Sequence, residues 1–278
     1  RVARASSVAL PAAVPASSAA MEEPSEFFTW SETEATRLAF SQSGASNCGA
    51  TALLNVLSAL KLPIPDIRDA DRAVKTNARK CNVSVSEYLA ARSVAGTTAE
   101  AIVEGCAVVA DKALASRFFA FYPPREVDLQ RWLAGWLAQG CSAVGTINTQ
   151  RMYGADYWHH QMIHGVSSKG VFVTNGVEVL GFREIELGLV SPSELLIRAS
   201  DALGCRPFDA EACDAMGEAW ARLGVARQLL ELQSGASQEE FVRLPAAYNG
   251  GITIFAKAGT PEAENLRRAP ELPVQSGT

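Results

Sequence analysis

The chain has 278 residues, 48% of them hydrophobic, and a formal net charge of −5. That is enough apolar material for one sizeable core, and the acidic balance excludes a basic nucleic-acid footprint. No apolar run is long enough to cross a bilayer, and the six cysteines include no CxxC pair, which speaks against zinc and dithiol motifs.

Residues 1–25 are rich in Ala, Ser, Val and Pro, with Arg1 and Arg4 the only basic residues. This is the composition of a disordered tail or an organellar targeting segment. Residues 26–40 place charges between aromatics and are expected to run over the edge of the domain into a loop. Helix 48–61 comes next, because Ala52, Leu53, Val56, Leu57 and Leu60 recur at three- and four-residue steps. Ser46 or Asn47 caps it, and Leu62-Pro63-Ile64-Pro65 stops it. Cys48 stands at its mouth, where the free N–H groups and positive dipole end favour a thiolate, the nucleophilic form. Gln42 lies six residues earlier, with an amide that can donate to an oxyanion beside that sulfur.

Residues 66–77 tolerate helix, and 87–92 and 98–115 read as helices. Cys106 falls on the apolar face of the latter, as packing. Residues 117–122 read as a strand, stopped by Pro123-Pro124. Residues 128–139 form a helix with Trp132, Leu133 and Trp136 as core, and residues 141–147 a strand. All three histidines, His159, His160 and His164, then fall in one stretch that reads as the first strand of a hairpin. Its turn is Ser167–Gly170, and its second strand runs through Val173 to Asn175. The start of the first strand lies beside the end of the second, which brings His159 or His160 near Asn175. His164, nearer the turn, pairs around Val173. Successive strand residues face opposite sides, so only one of the doublet faces Cys48; spacing favours His159. Metal ligation by His160 and His164 would need a helix, and the stretch reads as strand.

Ser191–Leu196 reads as a helix start, residues 209–234 as largely helical with Cys213 inside, and Gly250–Ala256 as a late strand joining the sheet. The expected organisation is a tail at 1–25, one α+β domain at 26–257 with a helical part at about 192–235, and a C-terminal tail at 258–278.

Gln-x5-Cys-Gly leading into an apolar helix, followed by a histidine that opens one strand and an asparagine that closes the next, resembles the papain-like cysteine peptidase superfamily. The intervals from His159 to Asn175 and to Gly165 look like the family's own. The resemblance covers roughly residues 40–200, with a long unmatched middle. Its look-alikes within the superfamily are the bacteriocin-leader peptidases and the phytochelatin synthases. The run Gly49-Ala50-Thr51-Ala52 is smaller than usual beside the nucleophile, and the synthases' metal-linked cysteine clusters are not seen.

The resemblance implies a papain-like fold with a central nucleophile helix packed on an antiparallel sheet. It also implies Cys48 as nucleophile, His159 or His160 as base, Asn175 as its orienter and Gln42 as oxyanion donor. The implied activity is hydrolysis of a peptide or isopeptide bond through a thioester, without metal or cofactor. The partner would be a peptide or protein, with no nucleic acid and no membrane insertion, in the cytoplasm or an organelle. An acyltransferase on the same residues and a binding module that has kept the fold without catalysis remain alternatives.

Overall fold

The computed structural model describes residues 25–154, 157–174, 179–191, 194–205 and 209–276. The expected N-terminal tail, apart from Ser25, lies outside the described residues, and so does Asn175.

The chain opens with β1 (Phe27–Phe28) and α1 (Glu32–Leu38), the latter started by a reciprocal capping box between Ser31 and Glu34. α2 (Cys48–Ala59) is buried continuously from Cys48 to Leu57. α3 (Ile67–Ala73), α4 (Val85–Ser93) and α5 (Ala99–Val109) each begin on a side-chain cap, from Asp66, Ser84 and Thr98. Next come β2 (Leu114–Ala120), α6 (Leu129–Ala138), β3 (Ser142–Asn148) and α7 (Gln150–Tyr153). They lead into β4 (Trp158–Ser167), β5 (Gly170–Val173), β6 (Val179–Leu180) and α8 (Phe182–Gly188). The last third holds β7 (Leu195–Arg198), α9 (Ala199–Leu203), α10 (Ala210–Asp214), α11 (Glu218–Leu223) and α12 (Val225–Gln233). β8 (Phe241–Leu244), β9 (Gly251–Lys257) and α13 (Pro261–Arg268) complete it.

The fold is α+β, an antiparallel sheet packed against helices. The main sheet runs β2-β9-β3-β4-β5-β6, with β1 also paired to β4. Alternation along its strands feeds two cores. Val144, Met162 and Phe255 pack under α2, while Ile147, Ile163 and Ile254 face α6, α8 and α13. A third core surrounds the separate β7–β8 pair, where Leu195, Ile197, Val242 and Leu244 meet Val85 and Leu89 of α4 and residues of α9–α12.

Several sequence expectations change here. α5 stops at Val109 rather than near 115, because Asp111 and Lys112 take left-handed backbone (φ 44° and 62°) and turn the chain into β2. The segment at 191–196 is not a helix start: Leu195 and Leu196 pair with Leu244 and Arg243 as strand, while Pro192 and Ser193 lie outside the described residues. The part at 192–235 is therefore a strand and short helices, completed by β8. Residues 258–278 are not a trailing tail. Thr260 caps α13 with Pro261 in its first turn, Ala263 and Leu266 are buried in the main core, and Val274 bridges to Arg125. Proline served as a helix start there. In the hairpin, Val173 pairs with Ile163, and His164 sits in the bulge between Ile163 and Gly165.

Candidate active site

Cys48 is the first residue of α2, and its side chain is buried, with 7% exposure. Asn47 occupies the cap position but its side chain turns back to Ser43 and Gly44, so the cap is not closed by a side chain. The first turn's N–H groups are thus left to the sulfur. Burial is the largest influence on the Cys48 thiol and pushes its pKa up, while the backbone N–H groups of His160, Gly49 and Cys48 itself, and the charge of Arg79, pull it down. Here burial outweighs the helix end, and the resting sulfur is a thiol rather than the expected thiolate.

Gly49 lets α2 approach this closely. A Cβ at that position would overlap the Thr97 methyl and stand 3.5 Å from Cδ2 of His160. His160 lies beneath that glycine, fully enclosed. Its Nε2–H donates to the Thr97 carbonyl at 2.8 Å, which fixes the tautomer and leaves Nδ1 to accept from the Thr146 hydroxyl at 3.1 Å. Burial pushes its pKa down to about 4, against an upward pull from the Thr97 carbonyl. Both ring nitrogens are occupied, so His160 has no lone pair to offer a thiol.

His159, one residue earlier, turns to the other side of the strand, so the ring under the start of α2 is that of His160 and not that of the expected His159. Its ring lines a cavity of about 480 Å³ that Gln42, Gln161, His164 and Thr174 also line. Tyr157 stacks on it, with centroids 5.7 Å apart and planes at 27°. Burial and then the Arg79 charge lower its pKa, keeping the imidazole neutral. The peptide unit that joins His159 to His160 is the one whose N–H acts on the Cys48 sulfur. Gln42 also reaches the cavity, and its Nε2 donates to the Gly44 carbonyl at 2.6 Å, which engages one of its two N–H groups. Cys48 is not among the residues lining that cavity. His164 is held differently: its Nδ1–H donates to the Trp30 carbonyl at 3.0 Å and ties β4 to the segment before α1.

The groups that tune this site carry no local signal in the sequence. Thr97 and Thr146 lock His160, and Arg79 acts on both Cys48 and His159. The three threonine and arginine positions are scattered through loops and one strand with no shared period, so only the folded chain gathers them. All six cysteines are free, Cys106 and Cys213 being buried as packing. Among the described residues, no three His, Cys, Asp or Glu side chains gather around a metal-sized position, and no helix is long and apolar enough to cross a membrane. No protein-family model, curated protein or solved structure matches the chain.

Proposed function

We propose that the protein is a papain-like thiol hydrolase that opens a peptide or isopeptide bond through a thioester on Cys48. The observation that carries this reading is the position of the Cys48 sulfur. It sits at the open first turn of α2, against the peptide that joins His159 to His160, with His159 free to face a cavity that Gln42 shares.

On this reading the His159 ring swings from the cavity toward the first turn of α2 and takes the Cys48 proton as the sulfur attacks the acyl carbon. Because burial raises the thiol and lowers the imidazole, the proton moves during attack rather than beforehand, which makes His159 a general base. The second N–H of Gln42 and the backbone N–H of Cys48 receive the developing oxyanion. The protonated His159 gives its proton to the leaving amine, and water then resolves the thioester. Asn175, the orienting residue implied by the resemblance, lies outside the described residues.

An activated ester such as p-nitrophenyl acetate tests the roles without knowledge of the substrate. Stoichiometric acetyl transfer to Cys48, read by peptide mass spectrometry, is expected, and His159→Ala should slow the burst on the order of a hundredfold or more. Acetylation confined to the exposed Cys81, or a burst indifferent to His159→Ala, overturns the reading.

A further inference from the structure

A second cavity, of about 270 Å³, adjoins the site on the far side of Tyr157. Among the described residues three arginines line it, Arg79, Arg92 and Arg198, together with Tyr88, Tyr157 and one carboxylate, Asp201; Arg79, Arg92 and Tyr88 also hold partners within the protein. In a chain with a net charge of −5, that concentration of guanidinium groups runs against the overall balance. The groups also converge from separate parts of the fold: Arg79 from the loop before α4, Arg92 from α4 itself, and Arg198 from the end of β7. Arg92 is buried, with 6% exposure, yet its side chain faces this cavity. Arg198 is exposed and has no ion-pair partner among the described residues.

The cavity is joined to the proposed chemistry by two contacts. Tyr157, part of its wall, stacks on His159. Arg79, also in its wall, is close enough to act electrostatically on both Cys48 and His159. His159 therefore stands between the two cavities, one with a mixed polar and apolar lining and one rich in guanidinium. Guanidinium forks match carboxylates two bonds at a time, and phenol hydroxyls add further donors.

We propose that the arginine-lined cavity is the selectivity pocket of the site and takes a carboxylate. The preferred substrate is then an acidic peptide, with an Asp or Glu side chain or a free C-terminal carboxylate a few residues from the bond presented to Cys48. This inference rests on the thiol-hydrolase reading. The structure names the carboxylate, and the two sources of it separate by experiment.

The test is cleavage of a complex peptide mixture, once with free and once with amidated C-termini, with cut sites read by mass spectrometry. Wild type, Cys48→Ala, Arg198→Gln and Arg198→Lys are compared. The expected result is Cys48-dependent cutting with Asp or Glu enriched at one fixed position about tenfold, the scale of one charge-assisted fork. In Arg198→Gln that enrichment falls to about twofold, and Arg198→Lys, which keeps the charge but loses the fork, lies between. Cuts at a fixed distance from free C-termini that vanish on amidation assign the carboxylate to the chain end instead. Cys48-dependent cutting that ignores acidic residues and termini overturns the pocket and leaves the hydrolase standing. Absence of any Cys48-dependent cut overturns the hydrolase and the pocket with it.

Discussion

The ground beneath α2 and the unit around β7 and β8 are built to different rules. Under α2 the packing is continuous: ten consecutive residues from Cys48 to Leu57 are buried, and His160 beneath them has both ring nitrogens satisfied inside the protein. The β7–β8 unit instead completes its core with α4, a helix from about a hundred residues upstream. It meets the main sheet across a seam of specific contacts. Trp158 stacks on Tyr248, Ser191 reaches Asn249 at 2.9 Å, and the Gln150 amide reaches the backbone of Leu196. The thiol stands on the dense ground. The arginine cavity lies across the seam, with Arg92 on α4 and Arg198 on β7. On the proposed reading the chemistry and the selectivity would fall in separate cores of the molecule.

The dense region breaks most deeply through acid. His160 is folded with a pKa near 4 against an ordinary 6.5, so the unfolded chain binds a proton that the folded chain refuses. Stability from this group is full above pH 6.5 and is lost as pH falls from 6.5 to 4, by about 3 kcal/mol at the limit. His159 and His164 are shifted the same way by burial and add to the same slope. Urea midpoints measured from pH 7.5 to 4.5 should therefore fall steeply in the wild type and more gently in His160→Gln. Equal slopes in the two proteins would mean that His160 is not held neutral by the fold.

Much of the dense region is legible in the amino-acid order. The apolar steps of Ala52, Leu53, Val56 and Leu57 mark α2, and the two-residue alternation of β4 separates His159 from His160. Gln42, Cys48 and the histidines sit in two short stretches that local pattern and spacing single out, although Cys48 does not line the cavity that Gln42 and His159 share. The seam is not legible in this way. Arg79, Arg92 and Arg198 are far apart in sequence and share no period, and each alone reads as an ordinary surface charge. β7 was obscured because Pro192 and Ser193 are good helix-start residues, while the strand beside them exists only through pairing with β8, some fifty residues later. α13 was obscured by its charge: Glu262, Glu264, Arg267 and Arg268 dominate its composition, and only Ala263 and Leu266 reach the core.

A smaller effect tests how tightly α2 is seated. Gly49→Ala should gain helix propensity, worth about 1 kcal/mol. The new methyl, however, overlaps Thr97 and stands 3.3 Å from Cδ1 of Ile102, and overpacking of this kind costs roughly 1–3 kcal/mol. Because the Thr97 hydroxyl donates to the Val74 carbonyl, its methyl cannot rotate away without breaking that bond. A net loss of about 1–2 kcal/mol in urea unfolding is expected, with slower acetylation of Cys48. A variant as stable as wild type would mean that α2 and Thr97 are loosely seated, and the contrast with the seam would lose its basis.

The smallest effect is expected at the seam itself. Gln150 donates through Nε2 to the Leu196 carbonyl at 2.9 Å and accepts from the Leu196 N–H at 3.3 Å. One side chain on α7 thus satisfies both backbone groups of a residue on β7, two positions before Arg198. Gln150→Ala removes both bonds at a partly buried position that water can enter, so the cost is about 1 kcal/mol. The loss is local: hydrogen exchange should accelerate at Leu196 and its strand neighbours while amides of α2 and β3 keep their protection. Loosening β7 moves Arg198 relative to Arg79, so a carboxylate preference weakens while acetylation of Cys48 by an uncharged ester is unchanged. If exchange instead accelerates across α2 as well, the seam is part of the same cooperative unit as the site, and selectivity cannot be altered there without cost to the chemistry.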